Sequence, residues 1–76
     1  MIIEIGSNVC IQNILFLRRK YNISRRGLAK LIGMHEYTLR NMEEEQIPTT
    51  FTREQLERLS QIFNLSYEEF VNQKIF

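Results

Sequence analysis

Glu36, Tyr37, Arg40 and Asn41 fall on one side of a short segment whose other side is Met34, Leu39 and Met42. Residues three and four apart share a helical face, so this spacing predicts a helix with an apolar stripe and an opposite polar face. Each polar group has a use on a base or phosphate edge. Asn41 can bond N6 and N7 of adenine as a bidentate pair, and Glu36 can accept only from the N4 group of cytosine. Tyr37 can touch a thymine methyl or donate to a phosphate, and Arg40 can reach guanine or the backbone. Catalytic chemistry is poorly provided for. The chain contains no Asp, so a Ser-His-Asp triad cannot be assembled. The lone Cys10 and lone His35 would have to meet in a cleft that 76 residues leave little room to form. One His and one Cys make no metal constellation, and no phosphate-cradling glycine loop is present. We expect no enzyme and no cofactor.

The elements that must position these residues are legible in Arg25–Glu44, RRGLAKLIGMHEYTLRNMEE. Leu28, Leu31 and Ile32 recur at three- and four-residue steps before Gly33; Met34, Leu39 and Met42 do so after it. Gly33 stands where a sharp turn between helices needs a positive φ, and Ala29, four residues earlier, lets a second helix cross closely. This is the layout of a helix-turn-helix, whose second helix enters a DNA major groove.

The segment resembles the helix-turn-helix of the Cro/repressor (xenobiotic-response-element-like) family of bacterial and phage DNA-binding proteins. That family's 20-residue unit has a small residue fifth, glycine ninth and a branched or long apolar residue fifteenth. Apolar residues also stand fourth, eighth, tenth and eighteenth. Counted from Arg25, the slots hold Ala29, Gly33 and Leu39, then Leu28, Ile32, Met34 and Met42, and the resemblance extends over the flanks from about Asn13 to Phe70. It implies an all-α, five-helix, lambda-repressor-like domain spanning 1–76 that binds double-stranded DNA as a dimeric transcriptional repressor. It also implies roles for single residues. Arg25, where the family most often has Gln, would approach a phosphate at the start of the second helix, with guanine as a further target. Lys30 and Arg26 are reserve phosphate binders or members of a solvated face. His35, where the family prefers Ser or Thr, would be a mediocre cap touching one phosphate. An arginine seven residues before the motif meets the glutamate at its nineteenth position, which here pairs Arg18 with Glu43; the alternative leaves Glu43 in solvent and Arg18 on phosphate.

The net charge of +1 hides a division. In residues 1–40 seven Lys and Arg face two Glu, giving +5; in residues 41–76 three face seven, giving −4. The positive half is where the family meets phosphate. Glu44 and Glu45 depart from the family pattern and would push phosphate away from the end of the third helix. No signal peptide or membrane span is visible, and a single Cys excludes an internal disulfide, so a cytoplasmic location is expected.

Along the chain, the first helix should start after Ser7 or Asn8 and run to about Tyr21, with Ile11, Ile14, Leu17 and Tyr21 inward. Ser24 caps a second helix over about 25–32, and the third covers roughly 36–44. A loop with Pro48, Thr49, Thr50 and Thr52 leads to a fourth helix over about 53–63, stopped by Asn64 in a left-handed conformation. Ser66, with Glu69 as its capping-box partner, opens a fifth helix to about Asn72. The N-terminal arm, 1–6, is β-prone in its MIIEI stretch and reads as a short strand or an ordered arm. Leu15 and Phe16 fall where the family has polar, exposed positions. Either the arm folds back over them or they form, with the Ile2–Ile5 arm, a dimer or protein-partner surface, with Ile75 and Phe76 a second candidate for the dimer contact.

Overall fold

Three of the helices in this protein start at a side chain that stands just outside them. The structure, a computed structural model, describes residues 2–6 and 8–76. Its elements run β1 (Ile2–Ile5), α1 (Val9–Lys20), α2 (Arg25–Ile32), α3 (Glu36–Glu43), β2 (Thr49–Thr52), α4 (Arg53–Phe63) and α5 (Tyr67–Asn72). The Ser24 hydroxyl accepts from the Gly27 N–H at the start of α2. Thr52 and Ser66 each form a reciprocal capping box, with Gln55 and Glu69 as partners. These boxes satisfy N–H groups that a first helical turn leaves without partners. Asn64 ends α4 with φ 54°, in the left-handed region. Asn8 precedes α1 without a side-chain cap bond, and the other candidate cap, Ser7, lies outside the described residues, as does Met1 of the arm.

The expectation of an all-α fold is corrected by one feature. Thr49–Thr52, read from the sequence as loop, is a strand, and it pairs antiparallel with β1 in the register Ile2↔Thr52 to Ile5↔Thr49. Neither strand is stable alone, and pairing across more than forty residues supplies what local propensity could not. The pairing also decides the fate of the arm. It lies along β2, not over Leu15 and Phe16, which stay partly and substantially exposed on α1.

One apolar core joins Ile11, Ile14 and Leu17 of α1 to Leu28, Ile32, Leu39, Met42, Phe51, Leu56, Leu59 and Phe70. Leu31 does not share it. Though in step with Leu28, it is 55% exposed, and Tyr21 is largely exposed while stacking on Phe63 at 6.2 Å between ring centroids. Asn13 is the polar exception inside. Its amide donates to the carbonyls of Phe70 (2.9 Å) and Gln73 (2.7 Å) and accepts from the Ile75 N–H (3.0 Å). The C-terminal end of α5, where carbonyls lack helical partners, is thereby tied to α1. Cys10 is buried in the same helix, and burial pushes its thiol up to about 12, so it is neutral and unreactive.

Candidate nucleic-acid interface

The turn between α2 and α3 follows from two small residues. Gly33 adopts φ 72° and ψ 43°, and the Met34 N–H reaches back to the Ala29 carbonyl at 2.9 Å. A side chain at 33 would be strained in this conformation and would meet the Arg58 guanidinium at 3.3 Å. Ala29 is buried where α3 crosses. The Gln55 amide donates to the Gly33 carbonyl at 3.3 Å while its oxygen accepts from the Thr52 N–H at 2.9 Å, so the capping box of α4 also holds the turn. His35 precedes α3 in an extended conformation and makes no side-chain cap bond.

Beyond the turn, α3 shows solvent a face of Glu36, Tyr37 and Arg40. Tyr37 is 67% exposed, and the Arg40 guanidinium carbon stands 5.5 Å from its ring centre. Two crossed helices, a left-handed glycine between them and an exposed polar face on the second are the geometry of a DNA-reading helix-turn-helix. Residues 13–73 match the Cro/C1-type HTH DNA-binding domain. The chain belongs to that family. Comparison with curated proteins gave no match.

Within this Cro/C1-type domain, not every expected contact residue is presented to solvent. Asn41 is buried, 8% exposed, and its Oδ1 has no hydrogen-bond partner among the described residues. Its helical phase follows Tyr37, and at its own backbone the chain turns at the end of α3, with the Gln46 N–H on the Asn41 carbonyl at 2.8 Å. Arg25 is also not a free cation. Its Nε donates to Glu43 Oε1 at 2.7 Å, although it still heads α2. Lys30 and Arg26 are exposed on α2.

Glu43 gathers the three helices. Arg18 donates to it through Nε and Nη2, both at 3.1 Å, in the two-bond geometry that suits a guanidinium and a carboxylate. Arg18 Nη1 donates to the Ile23 carbonyl at 3.2 Å, which ties the end of α1 to the loop before α2. The acidic run after Glu43 is partly occupied. Glu44, which follows α3 instead of lying within it, sits 3.7 Å from Arg40, and Glu45, at φ 60°, accepts from the Asn8 amide at 3.1 Å. Cationic partners at Glu43 and Glu44 thus lower the repulsion that three bare carboxylates would exert on phosphate, while Glu45 keeps its charge.

Two further surfaces flank these elements, and only the second was expected from the sequence. The β1–β2 ribbon borders the start of α3, leaving a recess of about 270 Å³ lined by Ile2, Thr50, Thr52, Gly33, His35 and Thr38. The β-prone residues of MIIEI and TTFT carry the signal for it, but only their pairing locates it. On α1, Leu15 and Phe16 line an open groove of about 740 Å³ with Phe76, Arg19 and Lys20. Of the C-terminal candidates, Phe76 therefore shares one surface with Leu15 and Phe16, while Ile75 packs against the core. Among the described residues no group of three or more His, Cys, Asp or Glu could hold a metal ion, and no helix is long and apolar enough to cross a membrane.

Proposed function

We propose that this protein is a sequence-specific transcriptional regulator of the repressor type, acting in the cytoplasm as a homodimer on a palindromic operator. The observation that supports it most is the exposed face of α3, with Glu36, Tyr37 and Arg40 set at a fixed angle by the Gly33 turn and flanked by Arg25, Lys30 and His35. In this reading α3 lies in the major groove, where Tyr37 and Arg40 meet base edges and the cations of α2 meet phosphate. A single module makes too few base contacts to select one site among many competitors, so two copies on half-sites about one turn, roughly 34 Å, apart are required. Repression follows from occlusion of a promoter. Gel shifts with genomic or upstream duplexes at about 50 mM salt test this, because weak phosphate contacts show most strongly there. Retardation of a subset of duplexes is expected; no shift of any duplex overturns the reading.

One observation favours a second reading, a protein-interaction module or antirepressor that keeps the fold. The Leu15–Phe16–Phe76 groove is an apolar surface on the outside of α1, and exposed contiguous apolar area marks interaction sites. A pull-down that recovers a repressor or polymerase subunit, with no DNA shift, would select it.

A further inference from the structure

Glu43 accepts from three N–H groups of two arginines, Arg18 Nε, Arg18 Nη2 and Arg25 Nε. Its side chain is 2% exposed, against 14% for Arg18 and 30% for Arg25. Two guanidinium groups on one carboxylate leave one positive charge over. Arg18 is fully engaged, since its remaining nitrogen donates to the Ile23 carbonyl. Arg25 is engaged only through Nε, and its Nη1 and Nη2 have no acceptor among the described residues. The surplus charge therefore belongs to the arginine that is most exposed and stands first in α2.

A guanidinium held through Nε presents Nη1 and Nη2 side by side, the edge that matches two oxygens of a phosphate. We propose that Glu43 is a positioning residue that holds Arg25 so that its Nη edge grips one backbone phosphate of a bound duplex. The proposal rests on the DNA-binding reading above. Rotamer freedom that a loose arginine would lose on binding is already lost in the folded chain, which favours the contact. Repulsion between Glu43 and phosphate does not cancel it, because Arg18 and Glu43 form a neutral pair and the charge of Arg25 is left uncompensated. A lysine at 25 could not do the same, since one ammonium must serve either Glu43 or the phosphate.

The test is a set of anisotropy titrations of the full chain with a labelled duplex at several salt concentrations, for the parent, R25A and R25K. Both variants keep the Arg18–Glu43 contact, and thermal melts check that they fold. The slope of log K against log salt should become shallower by about 0.9 in both, and affinity near 0.1 M salt should fall about eightfold. R25K matching the parent would show that charge alone suffices and overturns the proposal, as does an unchanged R25A. A second readout needs no DNA. The Arg25 Nε–H resonance should be protected from exchange with water in the parent chain, and free exchange also overturns the proposal. A parent chain that shifts no duplex defeats the DNA-binding reading, while the resonance still judges whether Glu43 holds Arg25.

Discussion

Asn13 and Arg18, five residues apart on helix α1, each make polar contacts to the rest of the molecule, and the two are built on opposite plans. At Asn13 a fully buried neutral amide meets two carbonyls and one N–H at and just beyond the end of α5. At Arg18 a charged group meets Glu43 of α3, which is shared with Arg25 of α2. The first contact closes a structure. The second leaves positive charge at its outer edge. Such a contact can therefore belong both to the fold and to a binding surface, since the charge left over seeks an anion from outside.

Removing the charged contact should cost most. E43A leaves Arg18, largely buried, without its counter-charge, and loss of one partner of a buried pair costs about 3–5 kcal/mol. Some exposure of both arginines argues for the lower end, about 3 kcal/mol, read by urea denaturation. DNA affinity should fall with it even where the variant is folded. A loss under about 1 kcal/mol would reduce the contact to a surface pair and erase the contrast with Asn13.

The neutral contact should cost less and act elsewhere. N13A leaves the Phe70 and Gln73 carbonyls and the Ile75 N–H without their partner, and buried unpaired groups cost about 1–3 kcal/mol in total where water can reach some of them. We expect about 2 kcal/mol by the same denaturation. Amide exchange should speed up in α5 while DNA affinity stays at the parent level. If N13A weakened DNA binding as much as E43A, the division between a closing contact and a binding contact would be wrong.

What the sequence disclosed and what it withheld divide along the same physical line. Ser66 with Glu69, Asn64 and Gly33 were legible because each acts on backbone within a few residues of itself. Helices α2, α4 and α5 begin and end within about one residue of the expected positions, since periodicity and caps are local signals. Thr49–Thr52 was not legible as a strand, because its partner lies at the other end of the domain. Asn13 gave no sign either, as one amide inside an apolar helix names no partner. For the reading face, helical phase placed Tyr37 and Arg40 outward. Phase could not foresee that Asn41 would be buried, nor that Arg25 would bend to Glu43 eighteen residues away.

The smallest expected effect on stability has the opposite sign, and it sharpens the comparison by setting one buried asparagine against another. Asn13 pairs both its N–H donors and its oxygen, whereas Asn41 Oδ1 is buried without a partner among the described residues. Replacing a buried, unpaired polar group by an apolar one of similar branched shape removes a desolvation cost and is neutral or stabilising. N41L should therefore raise stability by about 0.5–1 kcal/mol, read as a higher urea midpoint at unchanged slope. An amide kept at this position of α3 despite that cost fits a role in reading DNA. The surroundings of this side chain would have to shift and free the group for adenine. On that account N41L should also bind its operator about tenfold more weakly, near the lower limit for loss of one bidentate base contact. Greater stability with unchanged affinity would instead confine reading to Glu36, Tyr37 and Arg40, and would make Asn41 a packing residue with an unpaired oxygen. Lower stability would mean that a water pairs with Oδ1 in solution, because only a satisfied amide is costly to replace.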